Sequence, residues 1–143
     1  MHSELFRNAL YDIRDNILFA QEFVAGLDYA SFVKSRRDIY AVTRAIEIIS
    51  EASKGLPDDV RARHPHMPWR DIRDVGNFYR HQYDNVSESY VWRTVQEHLP
   101  PLLAVIISEI AILDAVYQAD PNVRKRVHGD WGQPAAKCRN QES

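Results

Sequence analysis

The chain has 143 residues, of which 45% are hydrophobic and 27% are charged, and this composition is typical of one globular domain. Its formal net charge is −2, so no overall field draws it to nucleic acid or to a membrane, and any nucleic-acid binding must come from a local patch. Its single cysteine, Cys138, cannot form an internal disulfide, which favours a cytoplasmic protein, and we expect no signal peptide and no apolar run near the ~18 residues that span a bilayer.

Apolar residues at helical spacing predict the first two long helices. The first helix has one apolar face, which consists of Phe6, Leu10, Ile13, Ile17, Ala20 and Val24. It should end near Gly26, and residues 28–33 read as a connection or a short turn. The second helix should run from about Lys34 to Lys54, because Gly55 followed by Pro57 is a stop signal.

The rest of the chain predicts two more helices and a tail. Residues 57–68 form a loop with one helical turn at most, and the third helix runs from Trp69 to His81 or Tyr83. Ser87 should cap a last helix from Glu88 to about Tyr117, which Pro100 and Pro101 should kink or split. We therefore predict an all-α fold, an antiparallel bundle of four to five helices at 1–118, with a polar mobile tail at 119–143 that holds Trp131.

One stretch, residues 61–81, is locally basic. It holds five arginines and three histidines, opposed only by two aspartates: Arg61, Arg63, Arg70, Arg73, Arg80, His64, His66, His81, Asp71 and Asp74. Such a patch suits contact with a phosphate backbone, although a solvated charged surface explains it as well. Neither cysteines nor a His-Glu-x-x-His spacing accompanies the two loop histidines, so we expect no metal and no cofactor.

The segment 73–84 places an imidazole, a guanidinium, an amide and a phenol within about two helical turns. Its two neighbouring edges carry Arg73, Asn77 and His81 on one side and Gly76, Arg80 and Tyr83 on the other. An imidazole can move the proton of a 2′-hydroxyl, a guanidinium can stabilise negative charge on phosphorus, and a phenol, here Tyr83, can orient a phosphate oxygen. This set can therefore cut RNA without metal. From residue types alone, a surface helix with a satisfied histidine is the simpler explanation.

Ordered motifs across most of 5–115 carry a family resemblance. They are Arg-Ala-Ile-Glu-Ile-Ile-Ser-Glu-Ala at 44–52, Met-Pro-Trp-Arg-Asp-Ile-Arg at 67–73, His-Gln-Tyr at 81–83, Asp-Asn-Val at 84–86 and Val-Trp at 91–92. In this order and spacing they resemble the HepT-like toxins of the HEPN superfamily. That resemblance implies a helical bundle, a homodimer, and a metal-independent endoribonuclease whose cleft lies at the dimer interface.

The resemblance also implies a toxin–antitoxin pair. The partner would be a minimal nucleotidyltransferase antitoxin that adds AMP to the motif tyrosine and so neutralises the toxin. In this sequence the resemblance makes His81 the catalytic histidine, Tyr83 the acceptor of AMP, and Asn77 the polar residue that follows the motif arginine. It also gives Glu47 and Glu51 a supporting role.

One position departs from the family pattern, since the motif arginine five residues before the histidine falls on Gly76. We expect Arg80 to supply the missing charge, because helical side chains lean toward the N-terminus and Gly76 would leave the turn beneath Arg80 empty. Arg73 is the second candidate. The alternatives are a weak or inactive binding module, which is a dimeric partner or substrate of a nucleotidyltransferase, and a purely structural dimer that binds no RNA.

Overall fold

The computed structural model describes residues 4–81 and 87–120, and for residues 78–81 it describes the backbone alone. Within this part every regular element is helical, so the predicted all-α class is confirmed there. The α-helices are α1 Glu4–Val24, α2 Tyr29–Lys34, α3 Arg36–Ser53, α4 Asp58–Arg63, α5 Trp69–His81, α6 Glu88–Arg93 and α7 Leu99–Ala119. Tyr83, Trp131 and the rest of the predicted tail beyond residue 120 lie outside the described residues, and the bundle count and the homodimer stay predictions.

The turn after α1 ends that helix and starts the next. Gly26 has a φ of 76°, a left-handed conformation that glycine adopts without a Cβ clash. Asp28 then caps α2 by accepting a hydrogen bond of 2.8 Å from the backbone N–H of Ser31. The prediction of a connection or turn at 28–33 is wrong, because Phe32 is fully buried with its ring 5.2 Å from that of Trp92, and this packing stabilises a helix that its own length could not.

The last helical run does not break at its prolines. Ser87 caps α6 as predicted, accepting from the backbone N–H of Tyr90 at 3.4 Å. A π-helical turn, Thr94–His98, joins α6 to α7, and Pro100 and Pro101 lie in the first turn of α7. The first turn of an α-helix tolerates prolines, because its backbone N–H groups have no partner within the helix. In place of the kink or split expected at the prolines, the helix changes from α to π at Thr94 and back to α at Leu99.

The described helices pack around one core. α3 lies between α1 and α5, and α7 packs against α1. The innermost side chains include three from the predicted apolar face of the first helix, Leu10, Ile13 and Ile17, and three from later helices, Val42, Ile46 and Ile106. Tyr11 of α1 donates a hydrogen bond of 3.2 Å to Asp114 near the end of α7, so these two long helices are antiparallel. α5 packs against the core through α3.

By length and composition alone, the run Glu88–Ala119 could cross a membrane. We expected no apolar run long enough to span a bilayer, and by mean hydropathy that expectation is wrong. The mean hydropathy of an 18-residue stretch of this run stays high although Glu109 interrupts it. In the fold the inner face of α7 packs in the core, and Glu109 is buried there in an ion pair.

Candidate functional site

The exposed edge of α5 leads to the predicted catalytic histidine. The start of the helix is fixed where Trp69 Nε1 donates a hydrogen bond of 3.0 Å to the backbone oxygen of His64. Arg70, Arg73 and Asn77 follow at positions i, i+3 and i+7, and all three are exposed. One helical turn beyond Asn77, the same edge reaches His81, the last residue of α5. The shared edge predicted for Arg73, Asn77 and His81 therefore exists as a backbone register.

Of the expected site residues, the structure describes Arg80 and His81 in part and Tyr83 not at all. The backbone of Arg80 and of His81 belongs to the last turn of α5. The side chains of these two residues, and the whole of Tyr83, lie outside the described residues. Their assigned roles therefore stay predictions.

The predicted basic patch is smaller in the fold than in the sequence. Arg61 forms an ion pair with Asp58 one helical turn earlier. Arg63 is engaged by Glu109 at 2.6 Å and by Asp59 at 3.5 Å. These two arginines are ion-paired around α4, although Arg63 is still 42% exposed. The described arginines of the patch that are exposed and form no ion pair with another described residue are Arg70 and Arg73 on α5.

Glu109 is the residue that sequence analysis missed. Its side chain is 1% exposed, and it accepts hydrogen bonds from Arg63 Nε at 3.0 Å and Arg63 Nη2 at 2.6 Å, with His64 Nε2 at 2.7 Å. The hydrogen bond from Arg63, together with that of His64, lowers the pKa of Glu109 although burial opposes this, and the same contact raises the pKa of Arg63. The signal in the sequence was a single carboxylate on the apolar stripe of a helix, which predicts a buried partner.

The two loop histidines do not assemble a metal site with other described residues. His64 faces Glu109, and the ring of His66 lies 6.0 Å from the ring of His64. Among the side chains that the structure describes, at residues 4–77 and 87–120, no three of His, Cys, Asp or Glu converge as metal ligands would.

Gly76 faces α3 and not an empty turn. It is buried, and a Cβ built on it would lie 2.6 Å from Ser50 Oγ and 2.8 Å from Ser50 Cβ. The expectation that Gly76 leaves space for the guanidinium of Arg80 is therefore wrong, because Ser50 already fills that space. A glycine is needed here because α3 and α5 approach too closely for any side chain.

The two predicted supporting glutamates differ in their surroundings. Glu47 is 16% exposed and accepts a hydrogen bond of 3.1 Å from Arg44. Its backbone oxygen lies 3.6 Å from the Cβ position of residue 76, so it belongs to the contact between α3 and α5. Glu51 is 62% exposed and pairs with Lys54 at 2.9 Å. Of the two, Glu47 is the one that lies beside α5, which contains Gly76 and His81 and is called the motif helix below.

A cavity of about 800 Å³ opens between α5 and α6. Its described lining combines carboxylates, hydroxyls, one ring and one guanidinium: Asp71, Asp74, Val75, Ser87, Ser89, Tyr90 and Arg93. Arg93 is held there by Glu97 at 2.7 Å. Ser87 in this lining directly follows residues 82–86 in the chain, the segment that contains Tyr83.

Comparison with known proteins identifies the family. The family model of HepT-like ribonucleases matches residues 13–109, which is more than half of the chain and includes all of α5. The chain belongs to the HepT-like ribonuclease family. A protein of Thermococcus cleftensis named "Probable ribonuclease HepT" is 35% identical over 96 residues, which are 67% of this chain and 87% of that protein.

Other relatives extend the same picture. A Methanocaldococcus jannaschii protein provisionally named as an RNase is 34% identical over 93 residues, 65% of this chain and 85% of its own length. A similarly named protein of Caldanaerobacter subterraneus is 34% identical over 84 residues, 59% of this chain and 75% of its own length. No solved structure matches the chain. At the level of the family, these names support ribonuclease activity for a HepT-like chain.

Proposed function

We propose that this HepT-like protein is a metal-independent endoribonuclease that acts at the His81 end of α5. The observation that carries the proposal is the exposed edge of α5, where Arg70, Arg73 and Asn77 lead to His81 inside the region that the family model matches. The cations on this edge can hold a phosphate, and the imidazole at its end can transfer a proton to or from an oxygen bonded to the reacting centre.

The reaction that this set supports is an internal transfer at phosphorus. The 2′-oxygen of RNA bonds to the adjacent phosphorus, and the bond from phosphorus to the 5′-oxygen breaks. His81 takes the 2′-hydroxyl proton or gives a proton to the leaving oxygen, and solvent completes the other transfer. The products are a 2′,3′-cyclic phosphate and a free 5′-hydroxyl.

The negative charge on phosphorus requires a cation, and position 76 cannot supply one. Arg73 is exposed, and no ion pair joins it to another described residue. Arg80 immediately precedes the histidine. We assign the stabilising positive charge to Arg80, with Arg73 as the second candidate. The sequence suggested the same order, but the assignment does not depend on an empty turn at Gly76.

The test is cleavage of RNA by the purified chain in the presence of EDTA, with analysis of the product ends. We expect cleavage that EDTA does not abolish, with 2′,3′-cyclic phosphate ends. Arg80→Ala and Arg73→Ala, measured side by side, identify the stabilising cation as the variant with the larger loss of kcat. Activity that EDTA abolishes would contradict a metal-free mechanism.

We also propose the toxin role and its control, which rest on the family. A homodimer would present two copies of the site, and a minimal nucleotidyltransferase antitoxin would transfer AMP from ATP to the Tyr83 hydroxyl, releasing pyrophosphate. Each AMP adds a phosphodiester charge and a purine, which compete with RNA for the cationic edge. Tyr83→Phe should escape this inhibition, and sedimentation of the full chain should give twice the 16.6 kDa chain mass.

The second candidate is a binding module without nuclease activity, and Gly76 is the observation that favours it. A family motif without its arginine is consistent with a protein kept as a dimeric partner or substrate of a nucleotidyltransferase. A purified chain that cuts no RNA but accepts AMP on Tyr83 would establish this alternative.

A further inference from the structure

The hydroxyl of Ser50 on α3 forms hydrogen bonds with the backbone of the motif helix α5. Its Oγ donates a hydrogen bond of 2.9 Å to the backbone oxygen of Arg73 and accepts one of 3.0 Å from the backbone N–H of Gly76. Ser50 is 1% exposed. A serine within a helix usually bonds back to its own helix or to water. Here both contacts of the hydroxyl cross to a neighbouring helix.

The same residue also sets how closely the two helices approach. The hydroxyl and the Cβ of Ser50 occupy the positions that would face a side chain at residue 76, with separations of 2.6 and 2.8 Å from a Cβ built there. Real Cβ atoms do not approach other atoms so closely, so a glycine on α5 and a small hydroxyl residue on α3 depend on each other. The pair fixes the separation of α3 and α5, and through the two hydrogen bonds it fixes the rotation of α5 as well.

That rotation matters because the proposed site is on the outer edge of the same helix. Gly76 and His81 are five residues apart, which is about 7.5 Å along a helix axis. The contact with Ser50 therefore lies little more than one turn before the histidine. A rotation or slide of α5 at this contact displaces the side chains of its last turn together.

We propose that Ser50 is a positioning residue for the catalytic end of α5, an inference that rests on the proposed ribonuclease function. It touches no reacting atom. It acts by holding the backbone at Arg73 and Gly76, so that the edge bearing Arg73, Asn77 and His81 is presented to RNA in one orientation.

The chain offers a matched control in Ser53, one turn further along α3. Ser53 is also buried, but its hydroxyl donates to the backbone oxygen of Ser50 at 2.6 Å, within its own helix. Ser53→Ala removes a buried hydroxyl from α3 without removing a bond to α5. Ser50→Ala removes both bonds to α5.

The experiment measures kcat and KM for RNA cleavage by the full chain, well below the unfolding temperature of every variant. We expect Ser50→Ala to lower kcat about tenfold or more with KM within about twofold of wild type, since a displacement near 1 Å at a reacting group has effects of that order. Ser53→Ala should keep the kcat of wild type. Wild-type kcat in Ser50→Ala, or an equal loss of kcat in Ser53→Ala, would overturn the inference.

A second readout is independent of activity. Amide hydrogen exchange at Gly76 should be faster in Ser50→Ala and unchanged in Ser53→Ala, because Ser50, unlike Ser53, accepts a hydrogen bond from that N–H. If the wild-type chain cuts no RNA, the proposed function fails, and this exchange measurement still decides whether Ser50 holds α5. An unchanged exchange rate at Gly76 in Ser50→Ala would overturn the positioning contact itself.

A double variant tests the steric part of the argument. Gly76→Ala places a methyl group against Ser50, and Ser50→Gly removes the atoms that it meets. The double variant Ser50→Gly with Gly76→Ala should therefore lose less free energy of unfolding than the sum of the losses in the two single variants, while its kcat stays low because the hydroxyl is absent. Additive losses of stability, or wild-type kcat in the double variant, would contradict the proposal.

Discussion

At the scale of single residues, Glu109 anchors the segment that leads into the motif helix. Its carboxylate is buried on α7, and its partners come from the end of α4 and the residue after it. Trp69, the first residue of α5, is in turn bonded to the backbone oxygen of His64. The start of α5 is therefore connected to the core through charged and polar contacts, although none of these residues belongs to the proposed site.

We predict that Glu109→Gln lowers the free energy of unfolding by roughly 2 kcal/mol at pH 7, since hydrogen bonds to charged groups contribute about 1.5–3 kcal/mol each and Arg63 keeps partial access to water. Chemical denaturation followed by circular dichroism measures this. Glu97→Gln is the matched control, because its pair with Arg93 is exposed to water and screened by it, so the loss of stability should be much smaller. Equal losses in the two variants would refute the anchoring role.

The same carboxylate predicts a dependence of stability on pH. The pKa of Glu109 is held below its ordinary value of 4.5 by Arg63, with His64 acting in the same direction. A lowered folded-state pKa means that the stabilisation is complete above the unfolded-state value and is lost as pH falls through the folded-state value. The difference in free energy of unfolding between wild type and Glu109→Gln should shrink as the pH falls below about 5. A difference that persists undiminished at pH 2 would contradict the assignment.

At the scale of helices, the approach of α5 to α3 depends on the absence of a side chain at residue 76. We predict that Gly76→Ala lowers the free energy of unfolding by about 1–2 kcal/mol, because overpacking costs about 1–3 kcal/mol and the better helix propensity of alanine returns about 0.5–1 kcal/mol. Thermal unfolding measures the effect. Gly55→Ala is the control, since its Cβ would meet atoms no closer than 3.3 Å. Equal stability of Gly76→Ala and wild type would show that α5 moves away freely.

The helices also show what the sequence could and could not predict. Periodicity predicted the long helices α1 and α3, because each buries one continuous apolar stripe. The helix predicted from Trp69 to His81 also matches α5, whose apolar residues Trp69, Ile72 and Val75 are only partly buried. It could not predict α2, whose stability comes from the contact of Phe32 with Trp92, a residue 60 positions away in the chain. The apolar stripe of α7 was predicted, but the buried ion pair at Glu109 was not, since its partner Arg63 belongs to a different element.

The same limit applies to the candidate site. The edge formed by Arg73, Asn77 and His81 follows from helical geometry within one segment, so the sequence was sufficient to predict its register. What lies opposite Gly76 is decided by a second helix, and a residue spacing within α5 carries no information about Ser50. The charge of Arg61 and Arg63 was misjudged for the same reason, because their partners depend on the fold.

At the scale of the whole molecule, a net charge of −2 means that the proposed contact with RNA must come from a local cationic surface, and the edge of α5 is our candidate for it. We predict that Arg73→Ala weakens RNA binding about three- to tenfold and lowers the slope of log affinity against log salt by about 0.7, the value for one contact with single-stranded RNA. Arg61→Ala should change neither, because Asp58 already neutralises that guanidinium. Fluorescence anisotropy over a salt series measures both. A steeper loss in Arg61→Ala than in Arg73→Ala would place the RNA on the α4 side.

The most direct measurement compares RNA cleavage in EDTA by wild type, His81→Ala and His66→Ala. His66 is an exposed histidine just before α5, so its variant controls for loss of an imidazole near the basic stretch. Removal of a general acid or base should lower kcat by about 10²–10⁴-fold in His81→Ala, while His66→Ala stays close to wild type. Cleavage by His81→Ala at the wild-type rate, with all three proteins equally folded, would contradict catalysis at the end of α5.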